Sequence, residues 1–476
     1  MTIKITPEHY KWLALAAGLC MLLPLPVMQF VGEEGLMALK SYEMHVRGDF
    51  LHPSILGFVW PHSPLWHWPV MGICKLIGWE HVDIAIRLVS VMATWITAAM
   101  VGWSASWILD ERHPGLGWLA ALVYLTIGEI SFWYGWLGYL DATFACFIFA
   151  SIALLWRALQ EEHVGWLLLS LLPLSLAFMT KNITAYAFYG AAGLVLMWRF
   201  RCWHLLLSPR FVLPVLAALA VPYLWQELVI IKGSSTATTT VNDALRNFTG
   251  FSPWVFVKHW VSYPLVFLFR ALPISLFLVG LWLLRKGRFR MGGSVASLGA
   301  IILVCLFPFW LSAGGSPRYL VPFYGLVALL LTGLLLQLDA GRIRQGVLLM
   351  GLIVLLKIPY SLGVLPYIKD WMPERDVKQV AREVMQLTAD APLLTENDVS
   401  TGLAIAAYID VWHQDRPPVT WNLNRSARAY VLAEVETPAL GRLVMKASDS
   451  GSNESNNHNP TRNRLIGKAR NRKTSG

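Results

Sequence analysis

Long apolar runs recur along this chain, and no other feature restricts its fold as strongly. The hydrocarbon core of a bilayer takes about 20 apolar residues of helix. Runs of that order fall near 11–30, 84–109, 115–134, 141–158, 164–180, 183–199, 211–231, 260–284, 294–312, 319–338 and 345–364. Backbone polar groups in lipid must bond within their own segment, so such runs cross as helices. The expected fold is an all-α polytopic membrane protein with about eleven transmembrane helices. Composition agrees: only 14% of the 476 residues are charged and 56% are hydrophobic, against roughly 25% charged in soluble domains. The first run continues from Trp12 to Phe30 with no small-residue cleavage site behind it, so it is expected to stay as an anchor.

The formal net charge of +10 does not indicate nucleic acid, because Lys and Arg sit in short clusters between apolar runs and form no continuous basic face. Cys20, Cys74, Cys146, Cys202 and Cys305 contain no CxxC spacing and read as small core residues, without a disulfide framework or metal site. Alternate connections carry Arg112; Arg157; Arg199, Arg201 and Arg210; Arg285, Lys286, Arg288 and Arg290; then Arg342 and Arg344. By the positive-inside rule these are cytoplasmic. The opposite connections face outward, and they include two longer pieces. Residues 31–83 form a first outer loop, and residues 366–445 alternate a helical pattern with short apolar strands, as in a small periplasmic α/β domain. Residues 1–365 are then the transmembrane domain, and the basic, Ser/Asn/Arg-rich 446–476 reads as a disordered tail.

Ionisable side chains at membrane-helix ends are costly and usually face a cavity or a partner. On the outer side stand Asp141 in "GYLDATFACF", Lys181 in "FMTKNITAY", Lys232, Arg270 in "VFLFRALP", and Arg318 with Tyr319 in "GGSPRYLVPFY". Each cation also reads as a snorkelling or anchoring residue, and Glu129 and Asp141 as simple partners for them. Together they suit a lipid phosphate, which guanidinium and ammonium groups bind well. Directly after the first run comes "VGEEGLMALKSYEMHVRGDFLHP", whose adjacent acids Glu33 and Glu34 read either as a helix start or as catalytic carboxylates at the membrane surface. His62 and His67 lie among interfacial aromatics in "WPHSPLWHWP".

In order and spacing these features resemble the polyprenyl-phosphate-sugar-dependent GT-C glycosyltransferases, the lipid A aminoarabinose transferases and protein O-mannosyltransferases. Those enzymes carry an acidic pair after the first helix, a Gly-Asp-Trp and Pro segment, and a Lys-Pro-Pro with aromatics. Here the corresponding residues are Glu33-Glu34, Arg47-Gly48-Asp49-Phe50 with Pro53, and "WPHSPLWHW". The resemblance continues through "GYLDATFACF", "LAFMTKN" and "PRYLVPFYGLVALLL" and covers roughly residues 10 to 340. His62 stands in place of the family's Lys, and Leu36 and Met37 in place of its Arg-Tyr pair. Lys40, Arg47 or His62 are left to make those contacts.

The resemblance implies a GT-C enzyme of the bacterial inner membrane with its active site on the periplasmic side. Its donor is a polyprenyl-phosphate sugar and its acceptor an extracytoplasmic lipid, such as lipid A, a glycan or a protein of the cell envelope. The substrate-binding residues expected are Asp141, Lys181, Arg318, Tyr319, Arg47 and His62, and the catalytic pair is Glu33 and Glu34. A lipid phosphate is already a good leaving group, so fixed positive charge suffices for it. One carboxylate suffices to deprotonate the acceptor, which implies inversion by single displacement. Successive helical residues diverge by about 100°, so only one acid serves as base. Glu33 occupies the family's Asp position and is the choice. No DxD motif appears in the first loop, and nothing in the spacing calls for a divalent metal, which stays open as a cofactor. The competing readings are a transporter or flippase for a lipid-linked intermediate and a non-catalytic envelope protein.

Overall fold

The structure, a computed structural model, describes residues 6–59, 63–228, 253–284, 289–312, 317–371, 376–388, 391–397, 399–422, 429–433, 442–446 and 465–468. The chain forms two compact units: Met1–Leu23 with Leu88–Tyr360, and Pro24–Arg87 with Ser361–Gly476.

The first unit is helical and apolar. Among the described residues, five helical segments are long and apolar enough to cross a membrane: Trp79–Leu109, Leu140–Gln160, Gly293–Leu311, Arg318–Leu335 and Ala340–Ile368. The first and last of these run on into the second unit. Leu116–Thr126 and Val164–Thr180 are apolar but shorter. Three expected spans differ from the sequence reading, and that at 115–134 is an α-helix only over Leu116–Thr126. The first run is helical only over Pro7–Cys20, because Pro24 and Pro26 follow and supply no amide donor to continue the ladder. The run at 260–284 is two helices, Pro253–Arg270 and Ile274–Leu283, bent by 112°, and Pro273 stands at the break. Side chains such as Trp136, Phe144, Phe149, Trp156 and Tyr324 are fully buried and make this unit's core.

Leu140–Gln160 and Val164–Thr180 form an antiparallel hairpin joined by the short Glu161–His163 turn. Chain reversal brings the start of one helix beside the end of the other. Asp141 lies in the first turn of the former and Lys181 caps the C-terminus of the latter. Helix dipoles favour an acid at the first position and a cation at the second.

The second unit joins segments that the sequence reading treats as two separate pieces. Helix Glu34–Arg47 buries Met37, Ala38, Leu39, Tyr42 and Met44, an apolar face too large to leave in water. It packs on helix Ser400–Trp412. A Cβ on Gly35 would stand 2.4 Å from the Ala404 backbone, so the crossing depends on a residue without a side chain. Strands β1 (Ser54–Ile55) and β2 (Phe58–Val59) form a hairpin. Strands β3 (Leu393–Thr395), β4 (Thr420–Trp421), β5 (Tyr430–Ala433), β6 (Arg442–Lys446) and β7 (Leu465–Lys468) form a sheet in the order β4-β3-β5-β7-β6. The first three are parallel, while β7 is antiparallel to both β5 and β6. Part of the stretch expected as a disordered tail, Leu465–Lys468, is thus a hydrogen-bonded strand. Lys446 ends β6, and the other tail residues lie outside those described.

Candidate active site

The acid loop is built inside the second unit. Gly32 takes φ +55°, a left-handed conformation that costs glycine little, and turns the chain so that Glu33 becomes the N-cap of helix Glu34–Arg47. The two acids then have different surroundings. Glu34 is fully buried, and both of its oxygens are held by Arg87, which donates from Nε to Oε1 at 2.9 Å and from Nη2 to Oε2 at 2.5 Å. Oε2 also accepts the Val31 amide at 2.8 Å. Arg87 is fully buried as well and donates to the carbonyl oxygens of Leu25, Met28 and Gln29. A bidentate, buried pair with its other donors satisfied is a rigid clasp on the strand of chain that leads to Glu33.

A second layer of polar contacts surrounds the clasp. Asp83 accepts from Lys378 Nζ at 2.6 Å and from the Tyr408 hydroxyl at 3.3 Å, while that hydroxyl accepts the Phe30 amide at 3.1 Å. Phe30 also stacks on Tyr408. Segments 28–34, 83–87, 378 and 408 are in this way tied together within one unit.

Glu33 is half-buried. One turn and more along the same helix, Lys40 is only 2% exposed. Burial pushes its ammonium down to about 8, and the charge of Glu33 opposes that shift. A buried Lys40 has no surface from which to take the phosphate contact that the sequence reading allowed it. Arg47 is exposed at the far end of the helix, about 20 Å from Glu34 by helical rise, and the structure does not bring it to Glu33. His67 is buried, with Nδ1 2.8 Å from Ser41 Oγ, and is no interfacial residue. His62 and Lys232 lie outside the described residues.

The first unit holds the other cluster. Lys181 Nζ donates to Asp141 Oδ1 at 2.6 Å; Asp141 is almost wholly buried, and the lysine keeps partial exposure. The same ammonium lies 5.4 Å from the Phe144 ring centre and 5.2 Å from that of Tyr319. The Arg318 guanidinium lies 5.9 Å from the Tyr319 ring. Lys181, Asp141, Arg318 and Tyr319 therefore share one place, around an aromatic ring that favours cations. Tyr319 is itself stacked on Phe309. Arg270 is paired with Glu129 and is committed within the unit. Among the described residues no group of three or more His, Cys, Asp or Glu stands together to hold a metal.

Sequence reasoning missed Arg87, the residue most engaged with the acid loop. Its signal was present: an arginine four residues beyond Asp83, inside a run otherwise apolar, is the kind of intramembrane charge that asks for a partner.

No family profile matches the chain. The undecaprenyl phosphate-alpha-4-amino-4-deoxy-L-arabinose arabinosyl transferase of Pseudomonas aeruginosa (strain UCBPP-PA14) is 28% identical over 356 residues, covering 71% of this chain and 61% of that protein. The enzyme of the same description from Edwardsiella ictaluri (strain 93-146) is 28% identical over 361 residues, 72% of this chain and 63% of that protein. The chain spans about three fifths of the length of the curated relatives it matches. Among solved structures, ArnT from Cupriavidus metallidurans bound to undecaprenyl phosphate superposes with a TM-score of 0.67 at 17% identity, over 89% of this chain and 92% of that one. The chain shares the fold of that ArnT structure. The similarity in sequence and the similarity in structure thus converge on one architecture, and the long apolar helices mark a multi-pass membrane protein.

Proposed function

We propose that the chain is a membrane glycosyltransferase that moves a sugar from a polyprenyl-phosphate donor to an extracytoplasmic acceptor. The observation that carries this reading is the agreement between the sequence relatives named above, described as undecaprenyl phosphate aminoarabinose arabinosyl transferases, and a fold match to ArnT bound to undecaprenyl phosphate. By this similarity the donor is an undecaprenyl-phosphate amino sugar and the acceptor a lipid A-type glycolipid.

In this reading Glu33 is the base that takes the acceptor proton. Glu34 cannot share that task while Arg87 holds both its oxygens. It serves instead to fix the turn in which Glu33 stands. Lys181 and Arg318 hold the departing phosphate. Asp141 and Tyr319 position Lys181, the first by a short charged hydrogen bond and the second through its ring face. Leaving-group departure then needs no acid, and attack by the acceptor oxygen on the anomeric carbon proceeds with inversion. Arg47 and His62 are assigned to acceptor recognition.

We place all eleven apolar runs across the inner membrane, short and bent helices included, with basic connections in the cytoplasm. Residues 31–83 and the α/β region after residue 366 are then periplasmic. The test is direct: purified protein in liposomes, given undecaprenyl-phosphate aminoarabinose and lipid A, should form the modified lipid A. Movement of donor across the bilayer without any sugar transfer would support the flippase reading instead.

A further inference from the structure

We propose that the first unit carries a site for an anionic phospholipid in the leaflet next to the basic connections, separate from the residues assigned to the reaction. The feature is an open groove of about 280 Å³ between helices Thr184–Phe200 and Gly293–Leu311. Its size lies just below the roughly 300–1,000 Å³ of pockets that enclose a small molecule, so it suits one chain lying along it. Ala296, Ser297 and Ala300 give it a shallow floor, and Val195 and Trp198 give it a wall. The floor's one hydroxyl, Ser297 Oγ, is already bonded to the Gly293 carbonyl at 3.2 Å. Nothing polar is left there for a sugar or a nucleotide, and an acyl chain matches the lining.

One end of the groove differs. Arg199 lines it, and its Nη2 lies 3.6 Å from where a Cβ on Gly293 would stand. Arg199 is exposed and forms no ion pair among the described residues. By contrast Arg157, on the same side of the unit, is bound to Glu161. Arg201 and Arg290, each a few residues from a groove-lining position, are exposed and pair with no carboxylate among the described residues. Trp198 is 77% exposed beside Arg199, the usual placement for an indole at the level of lipid head groups. The Arg199 guanidinium lies 5.7 Å from the Phe200 ring centre and has no carboxylate partner among the described residues; an apolar channel ending at such a group is complementary to a lipid phosphate with its chain beneath, and basic pockets between membrane helices commonly take anionic head groups.

The experiment is native mass spectrometry of the full-length protein in detergent, titrated separately with dioleoyl phosphatidylglycerol, dioleoyl phosphatidylcholine and water-soluble glycerophosphoglycerol. Phosphatidylglycerol should bind more tightly than phosphatidylcholine, and Arg199→Gln should weaken it by about fivefold per lost charge, while Arg199→Lys retains most of the preference. Ala300→Leu, which fills the channel, should weaken both lipids, and the soluble head group should not compete at equal concentration. The inference is overturned if phosphatidylglycerol binds the Arg199→Gln and Ala300→Leu proteins as it binds the unaltered one. It is equally overturned if glycerophosphoglycerol competes as well as the lipid, which would mark a plain anion site. Sugar transfer plays no part in the readout, so failure here leaves the proposed reaction untouched.

Discussion

At the scale of single residues, the two adjacent acids differ in their surroundings: Glu34 is fully buried on Arg87, and Glu33 keeps partial exposure. Glu33→Gln should lower turnover by about 10²–10⁴-fold, the usual contribution of a general base, with the protein still inserted and folded. Arg87→Ala should act differently. It leaves the Glu34 carboxylate buried without its partner, a loss of about 3–5 kcal/mol, read as a lower thermal midpoint and poor yield. The double change Glu34→Leu with Arg87→Met should recover much of that stability, since apolar replacements of a buried pair are often tolerated. In the other cluster, Lys181→Ala should weaken donor affinity by about 10- to 100-fold, the range for one charge-assisted hydrogen bond of about 1.5–3 kcal/mol; unchanged affinity would remove Lys181 from the phosphate site. Lys40 offers a test by pH. Burial lowers its folded-state value to about 8 from 10.5, so between those values the unfolded chain binds more protons and stability rises with pH. Lys40→Met should abolish that rise and stabilise the protein near neutrality, as followed by thermal unfolding from pH 7 to 10.5. Glu33, Glu34, Asp141, Lys181, Arg318 and Tyr319 stood out in the sequence as candidates, because each breaks an apolar pattern at a helix end. Arg87 was equally unusual but lay inside a run counted as a span.

At the scale of elements, the length of apolar runs located the five long apolar helices among the described residues and misjudged how other runs end. The sequence shows that Pro24 and Pro26 interrupt the first run, yet hydropathy averages over them, and the helix stops at Cys20. The same averaging hid the break before Ile274. The packing of Glu34–Arg47 on Ser400–Trp412 was not legible at all, since pairing of elements far apart in sequence depends on complementary shape, and shape is not written in composition. Its most sensitive point is Gly35. Gly35→Ala would place a methyl group within the Ala404 backbone, so the helices must separate. A loss of about 1–3 kcal/mol, typical of overpacking, should appear as a lower thermal midpoint and faster proteolysis of the second unit. A fully stable Gly35→Ala protein would show that this crossing is looser than described.

At the scale of the whole molecule, the architecture was legible because about twenty-residue apolar runs leave a chain few alternatives, and because an ordered series of weak motifs is more specific than any one of them. The union of first loop and C-terminal segment into one unit was not, for the reason just given. Topology can be checked with an impermeant thiol reagent on outer-permeabilised cells. Leu51→Cys and Gln386→Cys introduce exposed positions against a background of five buried native cysteines. Both should label, and protection of both would contradict the periplasmic assignment. The central claim is that sugar transfer from a polyprenyl phosphate depends on Glu33 as base while Glu34 is a structural partner of Arg87. Turnover of undecaprenyl-phosphate aminoarabinose with lipid A, measured side by side for the unaltered protein, Glu33→Gln and Glu34→Gln at matched folded concentration, tests it most directly. The account predicts transfer by the unaltered protein, a loss of at least about a hundredfold in Glu33→Gln, and a much smaller loss per folded molecule in Glu34→Gln. No transfer by the unaltered protein, or full activity in Glu33→Gln, would contradict it.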